Sequence, residues 1–200
     1  MIYIIKNIYR VVLVKLIIIL CITGCNNVKV KHYIVGKKPP ICSKSYGNQK
    51  SIIYWGTAWR DDQKEKDLRE KYIEDGIRDF FNKDNCFKVV KILRESNGKD
   101  SLLATDYELI NKAKKDKIDK IVKFRIEELG PNLYISLSPI LWGTENEVTI
   151  NTKILNVKTD KIESDITTNW KRGGAYTING SKKLPTDFQS ALERIFIDIH

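Results

Sequence analysis

The chain carries few side chains suited to nucleophilic or metal-dependent catalysis. Its two histidines are His32 and His200, and neither lies in a segment whose pattern predicts a helix or a strand. A Ser-His-Asp or Cys-His centre needs a histidine held beside the nucleophile, and zinc sites rely on histidine and cysteine ligands. The sequence therefore predicts no such catalytic centre, no bound metal and no cofactor.

Adjacent carboxylates could support hydrolysis if they faced each other across a cleft. They occur at Asp61-Asp62, Glu74-Asp75 and Glu127-Glu128. The first two pairs belong to one predicted helix, where capping and solvated roles are expected. Glu127-Glu128 lies at the end of a predicted strand, so it is the pair that a hydrolase could use. The chain contains neither the Gly-x-x-x-x-Gly-Lys-Ser/Thr pattern nor the Gly-x-Gly-x-x-Gly pattern of phosphate-binding loops.

Cysteine provides the clearest chemical signal, because Ile22-Thr23-Gly24-Cys25 closes a short apolar run. The pattern resembles the lipobox of bacterial lipoproteins, in which the cysteine is acylated and the signal peptide is cut just before it. Basic residues without any acid precede the apolar run, as in secretory signals. The resemblance implies a signal peptide over residues 1–24 and lipidation at Cys25. The alternatives are a cytosolic chain and an uncleaved membrane helix, although the run is shorter than the ~20 residues that span a bilayer.

Cys42 and Cys86 are the two cysteines that remain once the proposed signal peptide and the lipidated cysteine are set aside. The oxidising conditions that an exported chain meets favour a disulfide between them. The bond would close a loop of about 45 residues and stabilise the fold by about 3–4 kcal/mol in the chain-entropy model. Two reduced thiols are the alternative.

Aromatic residues gather where the first predicted strand ends. Tyr54, Trp55 and Trp59 flank Gly56, and Arg60 follows directly. Ligands commonly dock at strand ends in open α/β sheets. Tyr54, Trp59 and Arg60 are therefore a candidate site for a glycan, a small ligand or a protein. The alternative is that these aromatic side chains belong to the core.

The net charge of +10 does not by itself predict a nucleic-acid partner. Lysines and acids alternate through most of the chain, which is typical of solvated helix faces rather than of one basic patch. We therefore expect no nucleic-acid binding.

The elements that would position these residues begin after a polar, basic segment. Residues 25–50 are interpreted as a tether, and residues 51–200 as one domain. Within it, Ser51–Gly56 and Cys86–Leu93 predict strands, with an amphipathic helix between them. Thr105–Glu108 has the form of a capping box and predicts a helix toward Lys115.

The second half of the domain predicts antiparallel strands and a last helix. Alternation places Val122, Phe124 and Ile126 on one face of a strand, and the candidate binding residues Lys123 and Arg125 on the other. Segments 148–157 and 162–170 predict a hairpin, and a capping box at Thr186–Gln189 predicts the start of the last helix. The basic face, which also includes Lys153, is expected to be open.

The element order predicts an α/β fold, with a mixed sheet of five to six strands covered by about three helices. The chain resembles a group of envelope lipoprotein domains in three features: this element order, the entry of Asp119–Val122 into a strand, and the turn at Val157–Ile162. The group includes the curli-secretion lipoprotein, the amino-terminal domain of the Tol-system propeller protein and the lipoprotein activators of penicillin-binding proteins. The resemblance implies a non-enzymatic lipoprotein on the periplasmic face of the outer membrane, which binds an envelope protein or self-assembles. Asn26 after the lipidated cysteine favours the outer membrane.

Overall fold

The computed structural model describes residue 15 and residues 27–39, 41–42, 47–83, 86–95, 105–135, 142–174 and 177–197. The proposed signal peptide, apart from residue 15, and the proposed lipidation site Cys25 lie outside the described residues.

The described part of the chain forms a six-stranded mixed sheet with three helices, which confirms the predicted α/β architecture. The strand order is β1-β6-β5-β4-β2-β3, with β3, β2 and β4 parallel and the other neighbours antiparallel. The elements in chain order are β1 Asn27–Gly36, β2 Lys50–Thr57, α1 Lys66–Lys83, β3 Lys88–Arg94, α2 Asp106–Lys115, β4 Lys120–Ile135, β5 Trp142–Asn156, β6 Lys161–Gly173 and α3 Leu184–Phe196.

Helices α1 and α3 cover the sheet face that carries Val122, Phe124 and Ile126, as the alternation in β4 predicts. The apolar stripe of α1 packs there with Phe188, Leu192 and Phe196 of α3. Phe196 lies in edge contact with Phe81 and Phe124, at ring centroid distances of 5.3 and 5.9 Å. This face therefore holds the main core of the domain.

Helix α2 packs on the opposite face, so that face is not open along its whole length. Leu109, Ile110 and Ala113 of α2 form a second apolar cluster with Tyr54 and Ile121 of the sheet. The predicted capping box is confirmed: the Thr105 hydroxyl accepts from the Glu108 amide, and the Glu108 carboxylate accepts from the Thr105 amide. The second cluster explains why β2 is buried on both faces.

The sheet begins at Asn27, so much of the segment interpreted as a tether is part of the fold. Asn27–Gly36 forms edge strand β1, paired antiparallel with β6 from Asn27↔Gly173 to Gly36↔Ser164. Val30 and Ile34 pack against the main core. His32 lies between them, with its Nδ1 2.9 Å from the Thr168 hydroxyl, so it is held by the scaffold. The alternation of β1 is hard to recognise in the sequence, because polar His32 lies on its inward face and apolar Tyr33 and Val35 lie on its outward face.

Helix α3 begins at Leu184, two residues before the expected capping box. Pro185 lies in its first turn, where the missing amide hydrogen costs no helical hydrogen bond. Asp187 is fully buried inside the first turn, where it binds Asn146 and Arg172. Thr186 therefore does not cap the helix.

The β5–β6 hairpin turns through residues 157–160, as predicted. The Asn156 carboxamide accepts from the amides of Lys158 and Thr159 at 3.1 and 3.3 Å. Asp160 adopts a φ of 57°, the left-handed conformation that glycine adopts most readily and that aspartate tolerates. Ile162 pairs with Leu155 beside a register shift between Ile154 and Leu155, and it is 52% exposed.

A disulfide joins Cys42 and Cys86, as expected, with their Cα atoms 5.2 Å apart. The amides of Ile41 and Cys42 donate to the carbonyls of Ile195 and Phe196 at 3.2 and 2.9 Å. The disulfide therefore joins the segment after β1 to the residues just before β3, and the two hydrogen bonds join the same segment to the end of α3.

Candidate functional site

Tyr54, Trp59 and Arg60 do not form one surface. Tyr54 points into the second apolar cluster beneath α2, whereas its neighbour Trp55 is buried in the main core on the other face. Burial raises the pKa of the Tyr54 hydroxyl, and the charges of Glu95 and Asp116 act in the same direction. Successive residues of a strand point to opposite faces, so sequence adjacency does not bring these aromatic side chains together.

Trp59 is held by a buried carboxylate on α1. Its indole nitrogen donates to Glu70 at 3.3 Å, and the Thr57 hydroxyl donates to the same oxygen at 3.1 Å. Arg94 pairs with the other oxygen of Glu70, and its guanidinium lies 5.3 Å from the centre of the Trp55 ring. The cluster joins β2, α1 and β3, so Trp59 has a role in packing.

Arg60 lies at the mouth of a cavity of about 410 Å³ between the start of α1 and β4. Its Nε lies 3.3 Å from a Glu128 oxygen, and Gln63 donates to the other oxygen at 3.1 Å. The cavity is lined by equal numbers of cations and acids: Arg60, Lys64, Arg69, Asp62, Glu65 and Glu128. The lining therefore favours neither an anion nor a cation.

Glu127 and Glu128 do not face each other across a cleft. They lie within the long strand β4, at a register shift between Ile126 and Glu128, rather than at a strand end. Glu127 lies 3.5 Å from Arg125, whereas Glu128 binds Arg60 and Gln63. Glu127 and Glu128 therefore have different partners, and of the two only Glu128 lines the cavity beside Arg60, which Asp62 and Glu65 also line.

The basic face of the sheet is partly neutralised by α2. Lys123 and Lys153 lie opposite each other on β4 and β5, as expected, but both bind Asp106 in the first turn of α2, at 3.1 and 3.2 Å. Burial acts to raise the pKa of Asp106, but hydrogen bonds and attraction from the two lysines outweigh it and lower the pKa below its ordinary value. Arg125 remains half exposed beside a cavity of about 170 Å³.

The exposed face of β5 and β6 is polar and satisfies its own hydrogen bonds. Asn169 donates to Thr149 at 2.8 Å and also to Glu147. Lys171 lies 3.1 Å from Glu147 and 3.2 Å from Glu145. Because each charge on this face has a partner, the face is less suited to recognise a charged ligand than its lysine content suggests.

Edge strand β1 exposes apolar side chains beside this polar face. Tyr33 and Val35 are 67% and 73% exposed and lie on the outward face. Within the described residues, β1 pairs with β6 alone, so its other edge has no neighbouring strand. The opposite edge of the sheet, β3, exposes Val90.

The burial of three acids was not predicted from the sequence, and each of the three pairs with an arginine. Glu70 pairs with Arg94 and Glu128 with Arg60, while Asp187 lies 2.6 Å from Arg172. Burial raises the pKa of Asp187 despite the opposing effects of its Asn146 hydrogen bond and of the nearby cations. Glu70 lies in register with Ile73 and Ile77, so an acid on an apolar helical stripe is the signal that could have revealed it.

The described residues contain neither a membrane-spanning helix nor a cluster of metal-binding side chains. No helix there is long and apolar enough to cross a bilayer. No group of three or more histidine, cysteine or acidic side chains there could hold a metal ion.

No protein-family model and no curated protein matches the chain. Among solved structures it is similar to the PelC dodecamer from Paraburkholderia phytofirmans, with 11% identity, 83% of this chain and 96% of that chain covered, and a TM-score of 0.45. It is also similar to lipoprotein GNA1162 from Neisseria meningitidis, with 11% identity, coverage of 71% and 94%, and a TM-score of 0.38. These likenesses are distant, and no function is transferred from them.

Proposed function

We propose that the protein is a lipid-anchored, non-enzymatic component of the bacterial cell envelope. Its signal pattern ends at Cys25, and Asn26 favours the periplasmic face of the outer membrane. The domain acts by binding a protein, either a different envelope component or another copy of itself.

The edge of β1 that has no neighbouring strand among the described residues is the observation that carries this proposal. A strand edge presents a row of backbone donors and acceptors, which another strand can complete. Natural edge strands commonly block such pairing with lysine, proline, bulges or inward-facing charge, and the first half of β1 carries Lys29 and Lys31. β1 has a regular register over ten residues, with Tyr33 and Val35 exposed beside its edge. These features favour a protein partner that adds a strand there.

The other candidate functions receive less support from the same geometry. A glycan-binding platform would need exposed aromatic rings beside Arg60, but Tyr54 is buried and the Trp59 indole donates to Glu70. A hydrolase would need Glu127 or Glu128 opposite another unengaged acid, and both contact arginines.

Substitution of Val35 by glutamate tests the binding surface. Crosslinking and pull-down from detergent-solubilised envelopes should recover a stoichiometric protein or a homo-oligomer with the wild type, and lose it with Val35→Glu. Val90→Glu is the matched control, because Val90 is 56% exposed on the opposite edge strand. The proposal requires similar thermal midpoints for both variants and the wild type. Equal recovery with Val35→Glu and Val90→Glu would place the contact elsewhere.

The anchor is tested separately through Cys25→Ser. This variant should lose acyl labelling and accumulate as a larger, unprocessed form. Normal cleavage and labelling of the variant would refute the anchor assignment.

A further inference from the structure

Strand β1 begins directly after the proposed lipidation site. Cys25 is two residues before Asn27, and two residues of extended chain reach at most about 7 Å. If Cys25 carries the lipid, the end of the sheet at Asn27 therefore lies close to the membrane headgroups. A long tether, as the sequence alone predicts, would have left the orientation of the domain unrestricted.

The same end of the sheet contains the segment that leads into α3. Asn27 pairs with Gly173, and Gly173 also pairs with Glu145 on β5. Next to Glu145, the Thr144 amide donates to the Thr177 carbonyl at 2.7 Å. Asn179 donates to the carbonyls of Thr144 and Arg172, both at 3.1 Å. These bonds hold residues 177–179 at the end of the sheet where β1 starts.

This end exposes apolar and basic side chains together. Ile178 is 74% exposed and Val28 is 48% exposed, although both are large apolar residues. Lys29 follows Val28 in β1, the Lys183 ammonium lies 3.4 Å from the Asn179 side chain, and Lys29, Lys182 and Lys183 are all exposed. Amphipathic surfaces of this composition bind membrane interfaces by burying apolar side chains while their lysines attract anionic headgroups.

We propose that this end of the domain, comprising Val28, Lys29, Ile178, Lys182 and Lys183, docks on a bilayer that contains anionic phospholipid. The proposal rests on the proposed lipid anchor at Cys25, which places these residues near the membrane. Docking would orient the strands so that they run away from the bilayer surface, with the β5–β6 turn at the end of the domain farthest from the membrane. Strand β6 has 13 residues, so this turn lies about 40 Å from the docked end.

The position of single fluorescent labels tests this orientation in the full lipidated protein. Ile178→Cys and the control Thr159→Cys each introduce one free thiol, because Cys42 and Cys86 form a disulfide, Cys25 would be acylated and Cys21 would leave with the signal peptide. The labelled proteins are reconstituted in phosphatidylcholine vesicles that contain phosphatidylglycerol and nitroxide-headgroup lipid. The label at 178 should be quenched, and the label at 159 should not.

Charge reversal separates docking from simple proximity to the anchor. In an Ile178→Cys protein that also carries Lys182→Glu and Lys183→Glu, quenching at 178 should be lost although the lipid still holds the protein on the vesicle. Retained quenching in that variant, or equal quenching at 159 and 178, would overturn the proposal. The mass added by the acyl chains is measured first for each sample. A protein without this added mass shows that the anchor proposal fails. A protein that carries the lipid but whose label at 178 is not quenched shows that the docking proposal alone fails.

Discussion

Asp106 determines how much of the basic sheet face is available. Its carboxylate lies between Lys123 and Lys153, so two lysines that the sequence assigns to an open face hold α2 against the sheet. The alternation in β4 correctly places Lys123 and Arg125 on the face opposite Phe124. However, the alternation of one strand does not reveal which helix covers that face, because this depends on the direction in which the chain leaves β3.

Replacement of Asp106 by asparagine should lower the free energy of unfolding by about 1 kcal/mol at neutral pH, since two ion pairs and a favourable helix-dipole interaction are lost. The pKa of Asp106 is depressed in the fold, so its contribution is present above the unfolded pKa of about 3.9 and is lost as pH falls through the lower folded value. Urea unfolding at several pH values should show the difference between wild type and variant shrinking below pH ~4.

Asp160→Asn is the control for this prediction. Asp160 also contacts a lysine, Lys114 at 2.7 Å, but both side chains are about half exposed and asparagine tolerates the same backbone conformation. Its effect should stay within about 0.5 kcal/mol. If the two variants lose equal stability at neutral pH, the Asp106 bridge does not have the structural role assigned to it.

At the scale of the element, local signals predicted α2 better than β1 or α3. The Thr105 box needs only residues adjacent in sequence, so its signal is complete in the chain. Strand β1 pairs with residues more than a hundred positions away, and its exposed side carries lysines and a tyrosine. The start of α3 was misplaced because buried partners, rather than local capping, engage Asp187.

Contact between α1 and β4 depends on a glycine. The Arg69 side chain is buried and donates to the carbonyls of Lys64, at 2.7 Å, and Leu129. A Cβ at Gly130 would overlap its guanidinium group, which cannot move away without losing these bonds. Gly130→Ala should therefore lower the free energy of unfolding by about 1–3 kcal/mol. Gly180→Ala, with no atom within 4 Å of the added carbon, should leave it nearly unchanged in the same urea titration. Equal stability of the two variants would show that Arg69 can rearrange at little cost.

Across the whole molecule, the described residues between 27 and 50 form part of the fold rather than a free tether. Ile41 is 1% exposed in the main core, and Cys42 is bonded to Cys86. The sequence correctly predicts an α/β domain and this disulfide. It does not reveal the candidate surface at the edge of β1, because β1 itself was interpreted as a tether. The aromatic cluster that the sequence favoured separates onto opposite faces of the sheet.

Removal of residues 1–50 should therefore prevent stable folding, whereas removal of residues 1–25 should not. A chain that begins at Ser51 lacks the disulfide, worth about 3–4 kcal/mol, and the burial of Ile41, worth about 2–5 kcal/mol. It also exposes the main core beside β6, where Val30 and Ile34 pack. Together these losses are comparable with the total stability of about 5–15 kcal/mol typical of a domain.

The chain that begins at Asn26 should show a cooperative thermal transition and near-ultraviolet circular dichroism. The shorter chain should show neither, and Cys86→Ser in the longer chain measures the share due to the disulfide. A cooperative transition in the chain that begins at Ser51 would restore the interpretation of residues 25–50 as a tether.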